Sequence, residues 1–198
     1  MYIVAATRNR HKFEEYKALL ADQKVELRSL MDYPGCPDVP ETGTSFRENA
    51  SQKALAVCRY CDAPTFADDS GLEIEALGGA PGIYSARYAA TDAERIARVL
   101  RELKDAPSRR ARFVCVIAIA VNGEVVETFE GTVSGTILTK PRGENGFGYD
   151  PIFLPDGEDR SFAELPAEVK NKISHRARAV AKAVEFVNDE MSILDDEF

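Results

Sequence analysis

The stretch FVCVIAIAVNGEVVETF, residues 113–129, decides the fold. Residues 113–121 are apolar at odd and even positions alike, and a strand shows alternate residues to opposite faces. Such a strand must be covered on both sides, so it belongs in the middle of a sheet with other elements packed over each face. Asn122-Gly123 then supplies the positive backbone angles of a tight hairpin, which folds residues 125–129 back alongside.

Working outward, strand and helix patterns alternate. Residues 2–6 read as a buried strand, and Asn9 can cap a helix whose apolar face is Phe13, Tyr16 and Leu20. A loop rich in Pro and Gly (DYPGCPDVPETG, residues 32–43) leads to Ser45 and Glu48, spaced as a capping box, before Phe46, Ala50, Ala54 and Val57 at helical spacing. Residues 65–67 read as the end of the next strand. Thr91 and Glu94 form a second capping box, opening a helix with Ile96, Val99, Leu100 and Leu103 inward. Ser174 starts the last long helix, with Ala177, Val180, Ala181, Val184 and Val187 as its stripe. The tail DEMSILDDEF, residues 189–198, is acidic and expected to fray. Without an internal repeat or low-complexity linker, the chain reads as one α/β domain over residues 1–198.

With 198 residues, 44% hydrophobic and 29% charged, the composition is that of a soluble globular protein. No run of 18 apolar residues occurs, so no membrane span is expected, and the N-terminus lacks the order of a secretory signal. A cytoplasmic protein is the expectation. The formal net charge of −8 argues against non-specific nucleic-acid binding, although a local basic pocket for a small anion stays open. Cys58 and Cys61 make a CxxC, but the only other cysteines are Cys36 and Cys115, and no second CxxC completes a zinc site. Buried thiols are the simpler reading. Neither GxGxxG nor GxxxxGK[ST] is present, so the two common phosphate-loop folds lack support.

Four stretches carry chemistry. Thr7, Arg8, Asn9, Arg10, His11 and Lys12 crowd cations onto a strand-to-helix junction, where they oppose the helix dipole unless a polyanion lies there. Lys12 is expected near the helix start, facing solvent. In FADDSGLEIEALGGAPG, residues 66–82, Asp68 and Asp69 stand together where the chain is expected to leave the sheet. Adjacent carboxylates suit a hard cation such as Mg²⁺, which takes a few carboxylates plus phosphate oxygens; Glu41 could add another oxygen. An ordinary capped turn is the alternative. Ser70 lacks the Gly-x-Ser-x-Gly setting of a hydrolase nucleophile. Phe147, Gly148, Tyr149 and Asp150 place two aromatics around a glycine, a surface for a flat base or a turn pinned by core rings. Lys170, His175 and Arg176 bring further donors to a helix start.

Together these stretches resemble the inosine/xanthosine triphosphate pyrophosphatases, the house-cleaning nucleotidases of the Ham1/RdgB type. The matching residues are Thr7-x-Asn9-x-x-Lys12, the run from Glu41 to Ala50 (ETGTSFRENA), Ala67-Asp68-Asp69-Ser70-Gly71-Leu72, the run 78–88 (GGAPGIYSARY), Gly146 to Phe153 (GFGYDPIF) and Lys172-Ile173-Ser174-His175-Arg176. They span nearly the whole chain in order. The resemblance implies an elongated two-lobed α/β fold with a long central mixed sheet flanked by helices, an active-site cleft between the lobes, and a homodimer. It implies Mg²⁺-dependent cleavage of the α–β phosphoanhydride of ITP, dITP or XTP. By position, residues 7–12 hold the triphosphate, Asp69 is base and metal ligand, Ser70 touches substrate, and residues 147–150 with Lys170, His175 and Arg176 handle the nucleotide. Two positions depart: Arg8 replaces a glycine, and Pro40 replaces the first of an acidic pair. The metal assignment therefore falls first on Asp69, then on Glu41 and Asp68.

Two rivals remain at this stage. A Maf-type pyrophosphatase of other base preference is disfavoured by Ser174-His175-Arg176. A regulator that binds nucleotide without hydrolysis gains nothing from carboxylates beside a polyanion.

Overall fold

The structure, a computed structural model, describes residues 2–195, with side chains through residue 189. Strand β4 (Arg110–Val121) lies inside a six-stranded sheet of order β2-β1-β3-β4-β5-β6, as its two-sided apolar pattern requires. β5 (Glu124–Ile137) returns through Asn122 and Gly123, at φ +52° and +78°. β1 (Tyr2–Ala5) is parallel to both β2 (Glu26–Ser29) and β3 (Thr65–Ile74), whereas β3–β4, β4–β5 and β5–β6 (Phe153–Pro155) are antiparallel, so the sheet is mixed.

The alternation of β4 sorts the core onto two faces. Val114, Val116, Ala118 and Ala120 meet α2 (Phe46–Cys61) through Ala50, Ala54 and Val57. Cys115, Ile117 and Ile119 meet Tyr16 of α1 (Arg10–Leu19) and Ala179 and Val180 of α5 (His175–Asp195). Farther along the sheet, Leu72, Ile74, Phe113, Val133 and Phe153 pack with Ile96, Val99 and Leu103 of α3 (Asp92–Glu102). Each aliphatic side chain fully buried in these clusters contributes about 1.5–3 kcal/mol. At Gly131 of β5 a Cβ would fall 2.1 Å from the His175 carbonyl oxygen and 2.4 Å from the Ala179 nitrogen, so the missing side chain lets the start of α5 lie against the sheet.

Several expectations are corrected. The aspartates do not mark the end of a strand: β3 continues to Ile74, with Asp68 opposite Ile117 and Asp69 opposite Val116. Glu48 does not close a capping box; Ser45 accepts from the Glu48 N–H, but the Glu48 carboxylate turns to the N–H and hydroxyl of Thr44. Ser174 caps α5 from just outside it. Ala181 is exposed, and Ala183 joins the apolar stripe in its place. β2 and α4 (Ala167–Ile173) have no counterpart in the sequence reading. The backbone of the expected frayed tail stays helical as far as Asp195, and residues 196–198 lie outside the described ones. The Thr91–Glu94 box closes as read.

The pairing of β1 with β3 ends at Ala5↔Phe66. There β1 turns away through residues 7–9 into α1, so β3 from Ala67 onward has no strand beside it on that edge among the described residues. This end of a parallel strand is where open α/β sheets offer a crevice.

Candidate functional site

A cavity of about 200 Å³ occupies that crevice, bordered by Asn9, His11 and Lys12 from the β1–α1 junction and by Asp69, Ser70 and Gly71 from β3. Phe147 to Asp150, Lys170, His175 and Arg176 border its other end, and Glu41 its margin. The four stretches singled out from sequence therefore converge on one space. Thr7, Arg8, Arg10 and Asp68 are not on its border.

The junction is shaped locally. Thr7 accepts from the Asn9 N–H at 3.1 Å, and Asn9 accepts from the Lys12 N–H at 3.2 Å as the cap of α1. Arg8 points back to Asp38 at 3.1 Å and to the carbonyls of Leu30 and Cys36, pinning the 30–38 loop. Arg10 and His11 are exposed, and the His11 ring stacks on Phe147 at 5.4 Å. Lys12 is not free in solvent as expected: its Nζ lies 2.7 Å from Asp68.

Asp68 and Asp69 face opposite sides of β3 and have different surroundings. Burial works to raise the Asp68 carboxyl, but Lys12, Arg176 at 3.6 Å and Lys53 overrule it and hold it well below the usual carboxylate range. It is a buried counter-ion. Asp69 accepts from Asn49 Nδ2 at 2.9 Å and from the Ser70 N–H at 3.0 Å. Its carboxyl is raised by burial, an effect that Lys53 and the Asn49 bond offset only in part. A raised carboxylate at the wall of a cleft is the better proton acceptor of the two.

Glu41 is reached at 2.8 Å by Lys53 and at 2.7 Å by Arg87. Burial would raise its carboxyl; the two cations lower it. Lys53 Nζ is also 4.0 Å from Asp69. Burial opposes the Lys53 charge, yet Asp68, Asp69 and Glu41 keep it protonated beyond the ordinary lysine range. Among the described residues no group of three His, Cys, Asp or Glu side chains is arranged to hold a metal ion. Asp69 and Glu41 nevertheless converge on one cationic nitrogen. That donor pair fits a hard cation whose remaining positions go to substrate oxygens and water. Asp68 fits less well, because it is buried between Lys12 and Arg176 and does not border the cavity.

The far end is an ionic and aromatic cluster. Lys170 joins Asp150 at 2.6 Å and Glu15 at 2.8 Å, and Glu15 also takes Arg176. Burial raises the Asp150 carboxyl despite Lys170; it accepts the Phe147 N–H at 3.0 Å. Arg176 is buried, and its other nitrogens reach Tyr16 at 3.3 Å and Ser70 at 3.2 Å. The protein thus engages each guanidinium nitrogen. His175 stacks on Phe113 at 4.7 Å, its Nδ1 buried without a partner among the described residues. Burial, reinforced by Arg176 and Lys170, drives its pKa well below that of an ordinary histidine, so the ring is neutral.

Sequence reasoning missed Asn49, Lys53, Glu15 and Arg87. Asn49 did leave a signal: it is a polar residue on the buried face of α2, and Lys53 follows one turn later on the same face. Glu15 looks like ordinary surface charge until the fold brings its partners to it, and Arg87 stood in the matching run 78–88 with no role assigned until the fold set it against Glu41.

A sequence model of the Ham1 family matches residues 3–186. The dITP/XTP pyrophosphatase of Geobacillus kaustophilus is 50% identical over 185 residues, covering 91% of each chain. That of Bacillus subtilis is 46% identical over 184 residues, 90% of this chain and 93% of its own. Among solved structures, a HAM1 protein from Coxiella burnetii superposes with a TM-score of 0.87 at 42% identity, covering 96% of this chain and 99% of that one. The Staphylococcus aureus Ham1 protein does so with a TM-score of 0.86 at 41% identity, covering 96% and 100%.

Proposed function

The chain belongs to the Ham1 family, and from that premise we propose that it hydrolyses the deaminated purine triphosphates ITP, dITP and XTP to the monophosphate and pyrophosphate. The relatives named dITP/XTP pyrophosphatase support the substrate class. The observation that carries the chemistry is Asp69: a carboxyl raised by burial on the wall of a cleft, with Lys12 and Lys53 beside it and an aromatic pocket at the other end.

The triphosphate lies along Asn9, Lys12 and Ser70, and the purine lies against Phe147. Asp69 takes a proton from a water molecule as its oxygen attacks the α-phosphorus; the α–β anhydride bond breaks and pyrophosphate leaves. Lys12 and Lys53 offset the charge gathering on the phosphate oxygens. Asp69 and Glu41 would hold Mg²⁺, which supplies further charge neutralisation when bound. Arg176, held by Glu15, Tyr16 and Ser70, keeps further N–H donors on its two terminal nitrogens, so it and His175 are the donors for the C6 oxygen of the base. The reading includes two lobes that meet at this crevice. It also includes a homodimer in the cytoplasm, and the four free cysteines suit a reducing compartment.

The test is a panel of ITP, dITP, XTP, GTP and ATP with Mg²⁺, resolving pyrophosphate from orthophosphate. Pyrophosphate released from ITP and XTP, and barely from ATP, supports the reading; stepwise orthophosphate overturns it. A preference for other bases would favour a Maf-like specificity, and tight binding without turnover would favour a regulator.

A further inference from the structure

Asp92 opens α3, and its two carboxylate oxygens serve two elements. Oδ1 takes a hydrogen bond from Arg95 Nη1 at 2.6 Å within the same helix. Oδ2 accepts the backbone N–H of Gly148 at 2.8 Å, from 56 positions along the chain. Arg95 is itself anchored, its Nε donating to the Ala89 carbonyl at 3.0 Å. The neighbours of Gly148 are tied elsewhere: the Phe147 N–H goes to Asp150 and the Tyr149 hydroxyl to the Ser85 carbonyl at 2.8 Å. Asp92 and Arg95 both border the cavity beside these three loop residues.

Gly148, at φ +63°, sits between two aromatics and, like Gly143 and Gly146, is a point of conformational freedom in this loop. An ionised acceptor on its N–H binds more strongly than a neutral one. We infer that Asp92 is a positioning residue of the nucleotide site, a latch that holds the loop apex so that Phe147 keeps its face toward the cavity, with Arg95 fixing the carboxylate. The inference rests on the cleft being the purine triphosphate site. Unlatched, the loop holds the binding geometry for only part of the time, and apparent affinity falls by that fraction. Asp69 and its chemistry are untouched, so the loss appears in KM.

The experiment compares Asp92→Ala, Asp92→Asn and Thr91→Ala. Thr91 caps α3, accepting the Glu94 N–H at 3.2 Å, but is not on the cavity border. Amide exchange of the 145–149 peptide in nucleotide-free protein is read beside steady-state kinetics on ITP. Asp92→Ala should speed exchange of that peptide and raise KM about tenfold, the scale of one charge-assisted hydrogen bond, with kcat within about threefold. Asp92→Asn keeps one accepting oxygen for Gly148 but loses the charge and turns an amide N–H₂ toward Arg95, so both effects should fall between those of the wild type and Asp92→Ala. Thr91→Ala should lower Tm alone. Unchanged loop exchange in Asp92→Ala, or Thr91→Ala reproducing both effects, overturns the latch and leaves a helix cap. If the wild type releases no pyrophosphate from ITP, the functional reading fails instead, and the exchange measurement decides the latch by itself.

Discussion

Lys12 Nζ lies 2.7 Å from Asp68 Oδ2, a contact between residues 56 positions apart that closes the β1–α1 junction onto β3. Both side chains are largely buried, so Lys12 is part of the fold as well as of the cleft. Truncating one partner of a buried pair leaves the other charge poorly solvated. Lys12→Met should therefore cost about 1–3 kcal/mol, tempered by Arg176 remaining beside Asp68, and should raise KM for ITP. Pairing it with Asp68→Asn should cost less than the sum of the single changes. Urea titrations of the three variants give the coupling, and strict additivity would show that the contact is idle.

Asp69→Asn keeps the size of the side chain, but its amide N–H₂ must face one of the two donors Asn49 and Ser70, so Tm should fall modestly while the fold persists. Loss of a general base costs about 10²–10⁴-fold in rate. Steady-state turnover of ITP at saturating Mg²⁺ measures it; a folded variant with near-native kcat would remove Asp69 from the mechanism.

Lys53 lowers the Asp69 carboxyl against the effect of burial. In Lys53→Met that restraint is gone and Asp69 holds its proton to higher pH. A base must be ionised to act, so the acidic limb of kcat/KM should move to higher pH, with activity lower at every pH on that limb. A limb that stays where the wild type has it would mean that another group sets it.

His175 carries a stability signature. Its folded pKa is depressed by burial, so the native ring stays neutral where the unfolded chain takes up a proton. Stability from this group is full above the unfolded pKa of about 6.5 and is lost as pH falls below it, by up to about 1.4 kcal/mol per pH unit. The only other histidine, His11, is exposed. The urea midpoint should drop between pH 7.5 and 5.5 in the wild type and much less in His175→Gln. Equal slopes in both proteins would contradict a buried neutral ring.

The framework was legible where local chemistry and tertiary packing agree. The two-sided apolar run of β4, the Asn122-Gly123 turn and the Thr91–Glu94 box each say the same thing at both levels. β2 was not legible, because four residues reading Glu-Leu-Arg-Ser carry too little pattern for an edge strand. The aspartates misled for a physical reason: Asp, Ser and Gly favour turns, and only the ladder to β4 and the surrounding cations hold them extended. Asp69 was named as a base only through the family resemblance, since the residues alone left an ordinary turn open, whereas Lys53 and Glu15 were not named at all, since a charge among charges acquires meaning only through its partners.

The ladder between β3 and β4 runs unbroken from Thr65↔Ala120 to Ile74↔Ala111. Because alternate residues face opposite ways, a slip of one position toward Ile74 would put Asp68 in the place of Asp69 and Asp69 in that of Ser70, taking the base away from Asn49 and Lys53 to the other face of the strand. The ten-pair ladder thus acts as a phase lock on the chemistry. Inserting one residue into β3 before Asp68 should abolish activity more completely than deleting either carboxyl, although every functional side chain would still be in the chain.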